Sequence, residues 1–174
     1  METLHECYAQ SLSIDKVLYN NDSNLQHIQV FENRWFGRVI ALDGVVQTTQ
    51  GDEFIYHEMP TPVPILAHGK ARHVLMIGGG DWGTAWEVLR HQSVETVTMV
   101  GIDQGVVAFS KTYLPSLSDG AFDEPRLKLV IADGADFMME SVDKFDVIII
   151  DSLDPMGRER CFLPIIFTGT RNNV

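Results

Sequence analysis

The sequence predicts an α/β chain, with a small antiparallel β domain in front of a doubly wound parallel sheet. Three observations predict it. Between residues 12 and 50, short β-branched or alternating runs are separated by polar or glycine-containing breaks, the pattern of antiparallel strands. From residue 72 onward, strand-like runs alternate with helical stretches, which implies parallel strands joined by right-handed crossovers. VTMV, LKLVI and DVIII are continuous apolar runs, as parallel strands covered on both faces should be.

In chain order, LSIDKVLYN, LQHIQVFEN, GRVIALDG and VVQTTQ read as strands. Asn20 to Asn24 makes one break, and Asp43-Gly44 makes a hairpin turn because glycine tolerates positive φ. A β domain of about 50 residues buries little core alone, so it should lean on the larger domain behind it. DEFIYHEM reads as a short helix, punctuated by Pro60, Pro62 and Pro64. Proline is excluded from helix interiors, so the domain boundary falls there, dividing 1–62 from 63–174. RHVLMIGGGD then reads as a strand entering a glycine-rich turn, and WGTAWEVLRHQS as a helix. VETVTMVGID is a strand, QGVVAFSKTYLPSLS a helix, PRLKLVIADG a strand, ADFMMESV a short helix, and KFDVIIIDSLDP a strand with its exit loop.

Composition narrows the function. Hydrophobic content of 45% and charged content of 21% exclude a disordered chain. A net charge of −11 would repel phosphates, so no nucleic acid partner is expected. No apolar run approaches the roughly 20 residues that cross a bilayer, and the start METLHECYAQ is no signal peptide. Cys7 and Cys161 stand far apart, without disulfide or zinc spacing. Six histidines without ligand spacing predict no metal site. The expected setting is the cytoplasm, away from membranes.

Four places can carry chemistry. Gly78-Gly79-Gly80-Asp81 follows a strand and opens a helix, where the backbone can approach a ligand and free N–H groups are offered. Asp81 would repel a pyrophosphate there, which favours a cofactor without phosphates, such as a sulfonium nucleoside. Asp133-Gly134 ends the third strand. An acid there can hold an adenine amine, although on these residues alone a plain Asp-Gly turn is the first reading. Asp151 and Asp154 emerge at the ligand-binding end of the fourth strand, as site residues or as turn formers. Tyr56-His57-Glu58 lies at the domain junction, and a lone histidine is either structural or catalytic.

Taken together, LDGVVQTTQGDEFIYHEM, HVLMIGGGD, VTMVGID, LVIADG and DVIIIDSLDPMG resemble the spermidine synthase (polyamine aminopropyltransferase) family, from about Leu12 to Gly157. The resemblance implies an incomplete Rossmann-like, methyltransferase-type domain behind the β domain. It implies aminopropyl transfer from decarboxylated S-adenosylmethionine, a co-substrate rather than a bound cofactor, to putrescine or a similar diamine. The products would be spermidine and methylthioadenosine, and intact relatives are homo-oligomers. Carried over residue by residue, Asp151 would accept the proton. Asp154, His57, Tyr56 and Asp81 would hold the amine end. Gln26, Gly78, Gly80, Asp133 and Gly134 would hold the nucleoside. A methyltransferase on the same fold is disfavoured by the YHEM and DSxDP blocks, and a nicotinamide dehydrogenase by Asp81.

The sequence also departs from the family pattern. Gly101 stands where the family has an acid for the ribose hydroxyls, and Asp103 lies two residues further on. Trp82 follows GGGD where the family has glycine. A positive φ there would strain tryptophan, and Gly83 offers a shifted turn in its place. Arg158 falls where the family closes a proline-containing loop, and the chain ends at Val174, short of the family length. DVIII would then be left beside a missing strand, an aggregation hazard. These departures raise the alternative of a catalytically impaired remnant or a partner-binding pseudoenzyme.

Overall fold

A computed structural model describes residues 2–152 and 167–168 of the chain. The N-terminal part holds a hairpin of β1 (Glu2–His5) and β2 (Tyr8–Gln10). A four-stranded antiparallel meander comes next, formed by β3 (Lys16–Asp22), β4 (His27–Asn33), β5 (Gly37–Leu42) and β6 (Val45–Thr49). The residue pattern predicts the meander but not the first hairpin, whose short strands carry little apolar alternation. Asp43 and Gly44 both take positive φ, 50° and 81°, the paired left-handed conformation that two-residue hairpins demand.

Two short helices bridge to the second sheet: α1 (Glu53–His57) and α2 (Pro62–His68). Pro62 and Pro64 therefore start a helix as well as punctuating the chain. Proline suits a first helical turn because its missing N–H has no intrahelical partner there.

The second sheet contains β7 (His73–Gly78), β8 (Thr96–Gly101), β9 (Leu127–Ile131), β10 (Val147–Asp151) and β11 (Phe167–Thr168), in the order β11-β10-β7-β8-β9. The first four are parallel, and β11 pairs antiparallel with β10 through Val147↔Thr168 and Ile148↔Phe167. The expected open edge beside DVIII is thus corrected: a strand pairs with Val147 and Ile148. The crossovers carry α3 (Gly83–Leu89), α4 (Gln104–Tyr113), α5 (Pro115–Ser118), a 3-10 turn at Ala121–Asp123, and α6 (Gly134–Glu140). The helix expected over QGVVAFSKTYLPSLS is two helices, because Pro115 cannot donate to the turn before it. β7 and β8 are buried along nearly their whole length. β9 is the other edge and only partly covered, so its apolar run overstated its burial.

The core has four parts, the smallest being Phe31, Val39 and Ala41 within the meander. On one sheet face Val74, Met76, Val97, Met99 and Ile149 pack against Trp82, Ala85 and Val88. On the other, Leu75, Ile77, Val100 and Ile150 meet Phe137 and Met138 of α6. The third joins the two sheets: Ile28, Val30, Ile40 and Leu42 of the meander pack on Phe109, Leu114 and Leu117 of α4 and its continuation. The small β domain does lean on the larger one. This packing fixes the meander over the carboxyl ends of the parallel strands. The chain runs from β7 to β8 and β9 on one side and returns to β10 on the other. The switch point of the sheet, where open α/β sheets bind ligands, lies between the ends of β7 and β10.

Candidate active site

Asp151 is the last residue of β10 and sits opposite Gly78, the last residue of β7. Gly78 has φ of 90°, and a Cβ there would lie 1.8 Å from the Asp151 carbonyl oxygen. Only glycine lets the turn pass this close. The Gly79 N–H then donates to that carbonyl at 2.9 Å, which ties the glycine-rich turn to the end of β10.

The Asp151 carboxyl receives a donor on each oxygen. Tyr56 from α1 donates its hydroxyl to Oδ1 at 2.7 Å, and Thr84 from α3 donates to Oδ2 at 2.7 Å. Burial and then the charge of Asp81 push this carboxyl above the usual carboxylate range, opposed by the two hydroxyls and by the charge of His57.

His57 is 1% exposed and lies against the same turn. Its Nδ1 meets Glu53 Oε2 at 2.6 Å and its Nε2 meets Asp81 Oδ2 at 3.2 Å. Burial works against charging the ring, but the bonds to Asp81 and Glu53 and the charge of Asp151 outweigh it, and the pKa stands at about 9. At neutral pH His57 is therefore an imidazolium with both N–H groups donated. A Cβ on Gly83 would lie 2.1 Å from the His57 ring, so that glycine makes room for it. Asp81 is held in turn by the Gly83 N–H at 3.1 Å.

One donor atom each from His57, Asp81 and Asp151 lies within 4.8 Å of the others. With Glu53 the group holds three carboxyls around one cation, so when all are ionised it is net negative and suited to an incoming cation.

At the ends of β8 and β9 the arrangement differs. β8 closes on Gly101, where a Cβ would meet only Val107 Cγ2, at an ordinary 3.7 Å. Asp103 does not stand in for the missing acid. It caps α4 through the Gly105 N–H and accepts from Ser23 Oγ at 2.7 Å and Gln26 Nε2 at 3.1 Å. Burial raises its pKa, but these side-chain and backbone bonds outweigh that and lower it. Asp133 caps α6, with Oδ1 taking the N–H groups of Ala135 and Asp136. Gly134 packs its backbone on Ile77, whose Cγ2 would lie 2.3 Å from a Cβ there. Gly80 sits in the turn between Gly79 and Asp81. Asp154 and Arg158 lie outside the described residues.

Trp82 itself takes the left-handed conformation, with φ of 75°, so the turn has not shifted onto Gly83. Its indole is 1% exposed, stacked edge-on against Phe122 at 4.6 Å, with the Lys111 ammonium 5.2 Å from the ring centre. The indole N–H has no acceptor among the described residues.

The structure thus brings Tyr56, His57, Asp81 and Asp151 together, and sets Gln26 against Asp103. Sequence reasoning missed Thr84, Glu53 and Ser23. The i,i+4 spacing of Glu53 and His57 on one helix was a usable signal for one of them.

Comparison with known proteins gives the family. The family model for the spermine/spermidine synthase domain matches residues 53–172, and that for the spermidine synthase tetramerisation domain matches residues 2–50. The chain belongs to the spermine/spermidine synthase family. The polyamine aminopropyltransferase of Ruegeria sp. (strain TM1040) is 61% identical over 169 residues, covering 97% of this chain and 58% of that protein. Its counterpart in Klebsiella pneumoniae (strain 342) is 55% identical over 171 residues, covering 98% of this chain and 60% of that one. The chain therefore spans 58–60% of the length of these curated relatives. A crystal structure of a spermidine synthase in complex with the transition state analogue AdoDATO superimposes with a TM-score of 0.80 at 46% identity, over 83% of this chain and 49% of that one. The spermidine synthase from Thermotoga maritima gives 0.78 at 46% identity, over 81% and 50%. No helix among the described residues is long and apolar enough to cross a membrane.

Proposed function

We propose that this chain carries the donor-binding and proton-accepting part of an aminopropyltransferase, which moves an aminopropyl group from decarboxylated S-adenosylmethionine to putrescine. The observation that carries the reading is the Asp151 carboxyl, held by Tyr56 and Thr84 beside Asp81 and His57. The attacking amine resembles lysine, with a solution pKa of roughly 10, and arrives protonated. Asp151 accepts that proton. A carboxyl whose pKa is raised toward that of the amine is the better acceptor, and such assistance is typically worth 10²–10⁴-fold. The freed nitrogen pair attacks the methylene beside the sulfonium. The carbon–sulfur bond breaks, and its electron pair neutralises sulfur to give methylthioadenosine.

Asp81 supplies charge for the cationic aminopropyl end, and Tyr56 and His57 shape the amine side. Gly78 and Gly80 let the turn approach the donor. Asp133 and Gly134 meet the adenine, with Oδ2 of Asp133 left for its amine. Gln26 offers its side-chain amide oxygen to the nucleoside while its Nε2 donates to Asp103. The likeness to a spermidine synthase solved with the transition state analogue AdoDATO supports decarboxylated S-adenosylmethionine as the co-substrate. In this division, residues 1–62 end by delivering Tyr56 and His57, and residues 63–174 hold the nucleoside. The match to a tetramerisation domain supports a homo-oligomer. The setting is the cytoplasm, in keeping with only two cysteines. Against a degenerate remnant stands the fully bonded cluster around Asp151.

Calorimetric titration with methylthioadenosine and then putrescine tests the reading. Micromolar binding, with turnover that falls at least 100-fold in Asp151→Asn, is expected from the size of general-base assistance. No binding up to millimolar nucleoside would overturn it.

A further inference from the structure

Thr84 lies in the first turn of α3, is 0% exposed, and reaches Asp151 Oδ2 across 67 positions of sequence. A buried hydroxyl needs a partner, and Asp151 is the one it donates to. Tyr56 covers the other carboxyl oxygen but is 48% exposed, so an entering substrate can displace it. Thr84 is walled in by the core and cannot be displaced. The Asp151 main chain is tied to the turn by Gly79, so the remaining freedom of this residue is rotation of its carboxyl. One fixed donor on Oδ2 stops that rotation.

We propose that Thr84 is a positioning residue, whose hydroxyl holds the Asp151 carboxyl in one orientation and in its ionised form. The inference rests on the proton-accepting role given to Asp151 above. Among the described residues, the titratable groups facing that carboxyl are Tyr56 and His57 from α1 and Asp81 from the turn after β7. Burial and Asp81 drive the carboxyl toward its protonated form, and a protonated carboxyl cannot take a proton from an ammonium. The Thr84 donor opposes them from a site that substrate does not reach.

The test is a carbon-13 titration of the full chain labelled at aspartate carboxyls, with Asp151 assigned by its loss in Asp151→Asn. Thr84→Val keeps the shape and removes the donor, and should raise the Asp151 pKa by about one unit, a tenfold change in proton affinity. Thr84→Ser keeps the donor and should leave it where it is in the parent. Should Thr84→Val not fold, Thr84→Ala removes the same donor. An Asp151 pKa unchanged in the hydroxyl-free variant overturns the proposal, as does a rise of equal size in Thr84→Ser. In turnover, the acid limb of kcat/KM should move to higher pH by the same amount, with KM little changed. If the parent chain shows no turnover, the aminopropyltransferase reading fails, while the titration still decides the hold of Thr84 on Asp151.

Discussion

Two pairs of aspartates stand at the carboxyl edge of the same sheet and do opposite things. Asp81 and Asp151 face each other across the β7/β10 switch point, bonded mainly to side chains, and burial helps to raise the pKa of Asp151. Asp103 and Asp133 come after β8 and β9 and are helix caps, with Oδ1 of each taken by backbone N–H groups. The difference lies in where the nearest free N–H groups are. A carboxyl at the N-cap is neutralised by the helix start, whereas one aimed across the switch point keeps unspent charge for a ligand. On the proposed reading the amine side is therefore the reactive one, and the nucleoside side is first of all architectural.

The largest break in this contrast should come from Gly78→Ala. The new Cβ would overlap the Asp151 carbonyl at 1.8 Å, and neither strand end can yield without losing the other. A loss of about 4 kcal/mol or more is expected in urea denaturation, together with loss of nucleoside binding.

Next comes pH. His57 has a folded pKa of about 9 against an ordinary 6.5. Its contribution is complete below pH 6.5 and is lost as pH rises through 9, on the order of 3 kcal/mol in all. Asp151 acts in the opposite range. Its raised pKa favours the folded state at low pH, and that share is lost as pH rises above 3.8 toward the folded value. Denaturation between pH 6 and 10 should show the histidine loss, and His57→Gln should flatten it.

Trp82→Gly sets two effects against each other. Relief of the left-handed backbone returns roughly 1–3 kcal/mol. Loss of the buried indole costs about 3–5 kcal/mol. Burial should win, leaving a net loss of about 2 kcal/mol by thermal denaturation. A stabilised variant would show that the strain dominates.

The smallest effects sharpen the comparison within the architectural pair. Asp103→Ala loses a buried carboxyl bonded to Ser23 and Gln26, about 2 kcal/mol, and should loosen the meander from α4. Asp133→Ala loses an exposed cap, about 1 kcal/mol, with no effect on the meander. Amide exchange of the segment 23–26 separates the two.

Much of the architecture was legible in the chain. The alternating runs of the meander, the Asp43-Gly44 turn and the apolar parallel strands arise from residue periods that are local in sequence. The exceptions have local causes as well: Pro115 divides a helix, and β9 is apolar yet partly exposed because its neighbour on one side is solvent. In the site, the glycine-rich turn and the YHEM and DSxDP blocks marked Tyr56, His57, Asp81 and Asp151. The residues alone read Asp133 first as a turn former and second as a ligand, and the structure supplies a cap. Thr84 carried no mark, since a threonine inside a helical pattern looks like any half-buried residue.

What the sequence by itself determined is the order of elements, the family blocks and the two close-packing glycines, because backbone preference and periodicity act over a few neighbouring residues. Only the tertiary structure decided which acids are spent on caps, that His57 is held charged between Glu53 and Asp81, and that Thr84 reaches Asp151. The charge on His57 and the reach of Thr84 depend on burial and on partners 24 and 67 positions away, and a carboxyl's charge and proton affinity are set by what surrounds it in space.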